Sequence, residues 1–151
     1  MNSPEDVLEH AKFLFALDNK TEIILRNVAR NAYYALYHKL SVLELTSIVA
    51  SERNYGSHEL LIRKLRKSDN TEHKELGLKL SSLKEVRVKA DYKIRNKFPV
   101  NDAYSSLRKV EKVFESMNES NAEEEKNVEE SIEIMNQNPI NNERPKFRVI
   151  K

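Results

Sequence analysis

Apolar side chains recur every three or four residues along most of the chain, which is the spacing of amphipathic helices. The first such stretch begins after Ser3, an N-cap candidate followed by proline at the first helical position, and extends to about residue 17. The second begins near Asn19, which stands at capping-box spacing from Glu22, and extends to about residue 48. The pattern therefore predicts two consecutive helices, of which the second is long.

Three further stretches continue the helical periodicity. We predict a short helix from a cap at Ser57, a long one from about Thr71 to Asn96, and a fifth from a cap at Asn101. The fourth helix should end near Asn96, because Pro99 disfavours helical backbone in the residue before it. No segment ahead of the C-terminal tail has the pattern of a strand, so the sequence predicts an all-α domain.

The composition changes after Met117. Residues 119–133 are strongly acidic with few apolar positions, and the residues that follow are rich in asparagine and proline. Such a composition is typical of a flexible tail. We therefore divide the chain into a helical domain, residues 1–118, and an acidic then basic flexible tail, residues 119–151. The stretch that begins at Lys146 could add as a strand to a partner's sheet edge or stay disordered.

The net charge of +2 conceals a division along the chain. Residues 1–118 hold 21 basic and 16 acidic side chains, whereas residues 119–151 hold 5 basic and 8 acidic ones. Within the first part, residues 53–97 alone hold 13 basic and 6 acidic side chains. A basic region of this kind can attract phosphate backbones, and it is equally typical of a solvated, lysine-rich helix surface.

Composition also excludes several classes of site. The chain has no cysteine, so disulfides, thiolate zinc sites and cysteine nucleophiles cannot form. No two histidines stand at metal-ligand spacing, and we expect neither a metal nor a cofactor. The first residues have no basic or apolar leader pattern, and no apolar run approaches the roughly 18 residues of a membrane span. These features predict a soluble cytoplasmic protein that does not enter a membrane.

The second predicted helix carries an unusual cluster of tyrosines. Arg30, Tyr34 and His38 are four residues apart and therefore share one ridge, while Tyr33 and Tyr37 share the neighbouring ridge. A fixed cation, a phenol and an imidazole on one ridge could hold a phosphate and move a proton. The same residues could also form a packed structural seam whose polar ends reach solvent.

A second cluster of polar side chains lies on the fourth predicted helix. Arg87 and Asp91 are four residues apart, which makes an ordinary ion pair the simplest interpretation. In the functional interpretation, Arg87 faces a groove opposite the tyrosine helix and Asp91 holds its guanidinium in one orientation. An arginine fixed in this way suits a phosphate better than a lysine does.

Three pieces of the sequence together resemble the HEPN superfamily of small helical proteins. They are the segment AYYALYH that ends at His38, the segment GSHELL that begins at Gly56, and the segment from Arg87 to Tyr92, RVKADY. The resemblance covers roughly residues 5–115. It implies an up-and-down bundle of four to five helices, usually dimeric. Many members are metal-independent RNA endonucleases of toxin–antitoxin, CRISPR or phage-defence systems, and others are inactive partner-binding modules.

The active members of this family are similar in having an arginine followed, after four to six residues, by a histidine. This chain departs from that pattern, because Asp91 and Tyr92 stand where the histidine would follow Arg87. The motif therefore carries over only as Arg87, and His38 and His58 are the alternative proton carriers. The candidate catalytic residues are Arg87, His38, Asp91 and Tyr92, and the candidate RNA- or phosphate-binding residues are Arg30, Tyr34, His58, Lys84 and Arg95.

Three functions remain open from the sequence. The first is a metal-independent RNA endonuclease of a toxin–antitoxin or antiviral defence system that acts as a homodimer on RNA. The second is a non-catalytic module that binds a nucleotide or a partner protein, such as an antitoxin or a nucleotidyltransferase, and docks through its C-terminal tail. The third is a purely structural bundle, which does not explain why tyrosines recur where leucines would pack, since buried tyrosine hydroxyls need partners.

Overall fold

The computed structural model describes residues 1–45 and 54–137. Within these ranges the chain forms five α-helices and no strand, so the predicted all-α class is confirmed. The helices are α1 (Pro4–Phe15), α2 (Glu22–Ser41), α3 (Ser57–Lys67), α4 (Thr71–Tyr92) and α5 (Val100–Gln137). No helix in this described part of the chain is both long enough and apolar enough to cross a bilayer.

The N-terminal boundaries of the helices follow the capping rules, with some displacement from the predicted residues. The capping box of α1 forms as predicted, because Ser3 and Asp6 exchange hydrogen bonds. The cap of α2 is Thr21 rather than Asn19, and its hydroxyl accepts from the backbone of Ile24. The cap is therefore Thr21, whose side-chain oxygen lies directly before the helix, and not Asn19, which stands two positions earlier.

Two predicted caps lie inside their helices instead of before them. Ser57 is the first residue of α3, and Gly56 precedes it without a side-chain hydrogen bond. Asn101 is the second residue of α5, which begins at Val100 directly after Pro99. Proline lacks an N–H and its fixed φ suits a helix entry, so the helix can begin directly after it without a polar side-chain cap.

Helix α2 is the centre of the unit formed by Met1–Val113. Both α1 and α4 pack against it, and α3 packs mainly against α4. The side chains that are fully buried on α2 recur with helical spacing, and they are Val28, Ala32, Tyr33, Ala35, Leu36 and Leu40. The helix ends at Ser41, before the predicted residue 48, and the Ser41 hydroxyl donates to the carbonyl of His38.

Helix α4 ends at Tyr92 rather than near Asn96, and a buried arginine satisfies its C-terminal carbonyls. Arg26 of α2 donates to the carbonyls of Lys89 and Ala90 at 3.0 and 2.9 Å. Its other donors reach the carbonyls of Lys93 and Asn96 and the carboxylate of Glu22. The carbonyls of Lys89 and Lys93 also accept from the backbone N–H groups of Lys93 and Asn96, and Arg26 adds a cap from another element.

The second unit is Phe114–Lys151, of which residues 114–137 are described. They are helical, although the sequence predicted a flexible tail from residue 119. Glutamate is a good helix former, and it supplies seven of the residues 119–137. The predicted flexibility of residues 138–151, and the possible strand that begins at Lys146, lie outside the described residues.

Candidate functional site

The guanidinium of Arg87 on α4 lies against the tyrosines of α2. Its central carbon is 5.2 Å from the ring centre of Tyr33 and 5.6 Å from that of Tyr34, within the range of cation–π contacts. The side chain is only 11% exposed. Two helices from distant parts of the sequence therefore bring a cation onto an aromatic surface, as the functional interpretation required.

Asp91 holds this guanidinium from the next turn of α4. Nη1 of Arg87 donates to Oδ2 of Asp91 at 3.3 Å, and Nε of Arg30 lies 3.7 Å from the other carboxylate oxygen. A guanidinium has five N–H donors, yet this is the hydrogen bond that the described residues provide to Arg87, and its Nε is buried without an acceptor. The hydrogen-bonding capacity of Arg87 is therefore largely unused.

His58 at the start of α3 completes the cluster. Its Nδ1 lies 2.7 Å from the hydroxyl of Tyr33, which is within hydrogen-bonding distance. Its ring stacks on that of Tyr37 with the ring centres 4.0 Å apart. One ring nitrogen is thus fixed by a phenol, and Nε2 is the nitrogen that can exchange a proton with another group.

His38 stands at the solvent-exposed end of the same aromatic surface. Its ring centre is 5.2 Å from that of Tyr37 and 6.2 Å from that of Tyr34. Tyr37 therefore contacts both histidines, one on its face and one at its edge. We use the name aromatic cluster for these residues of α2, α3 and α4: Tyr33, Tyr34, Tyr37, His38, His58 and Arg87.

Burial and neighbouring charges set the protonation states of two members of the aromatic cluster. Burial lowers the pKa of His58 below 6.5, and the nearby cations of Arg87 and Lys84 and the ring of His38 lower this pKa further. Burial also raises the pKa of Tyr33 well above its ordinary value of 10.0, although Arg87 opposes this change. At neutral pH the hydrogen-bonded pair is therefore a neutral imidazole and a neutral phenol.

A second set of charges lies beside the aromatic cluster. Lys84 donates to Glu59 at 3.0 Å, and Nε of Arg63 is 3.3 Å from the other oxygen of the same carboxylate. The guanidinium of Arg63 covers the ring of Tyr55 at 3.9 Å. Glu59 is therefore shared by two cations, and Lys84 reaches the site as part of an ion pair.

The structure separates the predicted site residues into two groups. It brings together Arg87, His38, Asp91, Arg30, Tyr34 and His58, with Lys84 beside them. Tyr92 and Arg95 are exposed, and neither makes a ring contact, ion pair or hydrogen bond with the described side chains. Tyr92 is the last residue of α4 and lies about 100° around the helix from Asp91, whereas Arg95 follows the end of the helix.

The sequence did not assign site roles to the hydroxyl of Tyr33, the ring of Tyr37 or the carboxylate of Glu59. A signal for Tyr33 and Tyr37 was present, because they share one ridge of α2. Spacing of four residues could have indicated the partner Arg63 of Glu59, but no local signal could reveal Lys84, which is 25 residues away in the sequence. Among the described residues no group of three histidine, aspartate or glutamate side chains could hold a metal ion.

Comparisons of the chain with family models, with curated proteins and with solved structures found no match. Membership of the HEPN superfamily is therefore a proposal that depends on the quoted segments. The class of protein that the structure itself defines is a small all-α helical protein with an arginine held on a tyrosine–histidine surface.

Proposed function

We propose that the protein is a HEPN-like, metal-independent RNA endonuclease of a toxin–antitoxin or phage-defence system. The observation that carries the proposal is the contact of the Arg87 guanidinium with the tyrosine rings whose neighbours are His38 and His58. RNA cleavage without a metal needs a base for the 2′-hydroxyl, an acid for the leaving oxygen and a cation for the phosphate. The aromatic cluster contains each of these groups.

The lowered pKa of His58 and the exposed position of His38 support a division of roles between the two histidines. His58 has a lowered pKa and is neutral at pH 7. In the tautomer whose Nδ1–H donates to the Tyr33 oxygen, Nε2 carries the lone pair and can accept the proton of the 2′-hydroxyl. His38 is exposed at the edge of Tyr37 and can deliver a proton to the leaving 5′-oxygen. Arg87 and Arg30 then offset the charge that develops on the phosphate.

The position of Asp91 restricts how a phosphate can bind to Arg87. A phosphate that binds to Arg87 must share the guanidinium with the Asp91 carboxylate, 3.3 Å away. Arg30 lies close to the same carboxylate, and its side chain is 51% exposed. We infer that Arg30 makes the first contact with RNA and that Arg87 contributes more fully in the transition state. A cytoplasmic homodimer, as the HEPN resemblance implies, fits a substrate of this kind.

The test is RNA cleavage in the presence of EDTA. Purified full-length protein is incubated with a fluorescently labelled single-stranded RNA, and the products are resolved on a denaturing gel. We expect products that end in a 2′,3′-cyclic phosphate, because the internal 2′-hydroxyl is the nucleophile. The matched DNA should not be cleaved. Arg87→Ala and His58→Gln should each reduce the rate at least about a hundredfold.

The control for this experiment is Lys74→Ala, which removes an exposed cation elsewhere on α4 and should leave the rate unchanged. Circular dichroism confirms that each variant is helical. Cleavage that persists in Arg87→Ala and His58→Gln would assign the activity to a contaminating nuclease. Absence of cleavage in the wild type, together with absence of growth arrest on expression, would remove the endonuclease proposal.

A non-catalytic binding module is the second candidate, and the Asp91 carboxylate favours it. The arginine–aspartate pair is intact in the unbound protein, and no histidine follows Arg87 at the family spacing. A binding module would hold RNA, a nucleotide or a partner such as an antitoxin or a nucleotidyltransferase on the same surface. RNA binding that Arg30→Ala weakens, without any cleavage, would select this function over the first.

A further inference from the structure

Two lysines on the outer side of α4 separate two hollows of the surface. Lys89 and Lys93 line a groove of about 450 Å³ whose other charged residues are Glu85 and the Lys84–Glu59 pair and whose apolar residue is Val88. The same two lysines line a second hollow of about 260 Å³ whose apolar part is Phe98 and Pro99 and whose other charged residues include Lys97 and Asp102. The ammonium groups of Lys89 and Lys93 make no ion pair with the described residues. This basic ridge therefore combines unpaired charge with apolar surface on both sides.

The described part of the second unit has the complementary properties. Residues 114–137 hold eight acidic side chains and one basic side chain. Val128, Ile132 and Met135 are spaced by four and three residues, so they form one stripe of the helix, and each is more than half exposed. Glu125 and Glu129 flank this stripe one turn apart.

We propose that the basic ridge of one copy of the protein, Lys89 and Lys93, is a docking surface for the acidic segment, residues 114–137, of a second copy. Lys89 and Lys93 are four residues apart on α4, and Glu125 and Glu129 are four residues apart on α5, so both pairs rise about 6 Å along their helices. Two packed helices can therefore align both ion pairs at once. The apolar stripe would enter the hollow beside Val88 and add burial of apolar surface to the two ion pairs.

Charge decides which of the possible occupants fits best. Two acidic segments cannot pair with each other, because each carries a net charge of −7. At the two hollows Lys89, Lys93 and Lys97 outnumber the carboxylates of Glu85 and Asp102, so a second copy supplies a surface of opposite charge. A nucleic acid would satisfy the lysines, but it would leave the apolar stripe of residues 128–135 in water. The second copy accounts for both features.

The contact is tested by exchanging its charges. One variant carries Lys89→Glu and Lys93→Glu, and the other carries Glu125→Lys and Glu129→Lys. Mass is measured by light scattering during size-exclusion chromatography at about 50 mM salt, where charges are weakly screened, and at about 1 M salt. We expect a wild-type dimer that weakens with salt. Each variant alone should dimerise at least about tenfold more weakly, because like charges then face each other in the contact.

Mixing the two variants distinguishes contact between copies from contact within one chain. In the mixture, the unchanged acidic segment of the first variant meets the unchanged lysines of the second, and the exchanged pair also has opposite signs. We therefore expect the mixture to regain dimers, which also shows that each variant is folded. The control, Lys74→Glu with Lys79→Glu, reverses two exposed charges elsewhere on α4 and should leave dimerisation unchanged.

Three outcomes would overturn the inference. The first is a wild type that stays monomeric at about 200 µM, roughly tenfold above the Kd of a weak dimer. The second is dimerisation that neither variant changes. The third is a mixture that stays monomeric, which assigns the contact to a single chain.

If the wild type is monomeric and Lys89→Glu with Lys93→Glu abolishes binding of a single-stranded RNA probe, the ridge is a nucleic-acid surface instead. The inference does not depend on RNA cleavage, so the two proposals can fail separately.

Discussion

At the scale of single residues, an arginine outside the aromatic cluster makes the largest set of hydrogen bonds given for any described side chain. Arg26 is almost fully buried and donates to backbone carbonyls at the end of α4 and to Glu22. Glu22 in turn accepts from the backbone of Phe98, so one ion pair ties α2 to the connection between α4 and α5. These hydrogen bonds hold the connection that begins where α4 ends, directly after Tyr92.

Replacement of Arg26 should therefore be costly. Arg26→Ala removes the side-chain donor from four carbonyls near the end of α4 and the cationic partner of Glu22, and we expect a loss of about 3 kcal/mol in the free energy of unfolding. Arg26→Lys should recover little, because one ammonium cannot reach carbonyls on both sides. Chemical denaturation measures the loss, with Arg95→Ala as the exposed control within about 0.5 kcal/mol of the wild type. An equal effect of both alanine variants would contradict this role.

The lowered pKa of His58 gives a dependence of stability on pH with a definite sign. The folded protein favours the neutral imidazole, so the unfolded chain binds more protons as the pH falls below 6.5. The contribution of His58 to stability is therefore complete above pH 6.5, decreases as the pH falls toward the folded pKa, and is constant below it. Unfolding measured between about pH 5 and 7 should show a shallower slope in His58→Gln.

The cation beside His58 provides an independent check. Lys84→Met keeps the aliphatic stem and removes one of the charges that lower the pKa of His58. An NMR titration should then show a higher pKa for His58 in this variant than in the wild type. A pKa of His58 at or above 6.5 in the wild type would show that burial does not lower it. A pH dependence of stability that His58→Gln does not change would show the same.

At the scale of helices, α3 and α4 approach closely at a glycine. A Cβ added to Gly77 would lie 3.0 Å from Cβ of Leu65 and 3.2 Å from the backbone nitrogen of Arg66. Alanine normally stabilises a helix by about 1 kcal/mol over glycine, but these neighbours cannot move without shifting α3. We expect Gly77→Ala to lower the unfolding free energy by about 1 kcal/mol or more. Lys79→Ala, exposed on the same helix, should change it little, and a stabilised Gly77→Ala would contradict the close approach.

The helices were predictable from the sequence because their signals are local. Apolar spacing predicted all five helices, and the Ser3–Asp6 capping box predicted the first residue of α1. The end of α4 was not predictable, since it depends on Arg26, more than 60 positions away in the sequence. The helical conformation of residues 119–137 was missed for another reason. Their acidic composition indicated solvation, and solvated glutamates are compatible with a helix.

The aromatic cluster was predictable in part. The ridge of Arg30, Tyr34 and His38 follows from spacing alone, and the placement of Arg87 opposite the tyrosines was a hypothesis that the structure matches. The hydrogen bond between Tyr33 and His58 joins residues 25 positions apart, and only the packing of α3 brings them together. Tyr92 was a candidate because it stands close to Arg87 in the sequence, and it is exposed because it points about 100° away from Asp91 on α4.

At the scale of the whole molecule, the division of charge leads to a last prediction, which rests on the proposed binding of RNA. Residues 119–151 bring the net charge of the protein from +5 down to +2. Ending the chain after Asn118 should therefore strengthen binding of single-stranded RNA several-fold at about 50 mM salt. The difference should shrink at about 0.5 M salt, where charges more than a few ångströms apart are screened. Fluorescence anisotropy measures both affinities.

The matched control for this truncation keeps the chain at full length and changes only its charge. Replacing Glu123, Glu124 and Glu125 by glutamine removes three negative charges, the same change in net charge as the truncation. If long-range charge is the cause, the glutamine variant and the shortened chain should gain affinity by similar factors. Weaker binding by the shortened chain would show instead that residues 119–151 contact the RNA, since lost contacts and lost repulsion change the affinity in opposite directions.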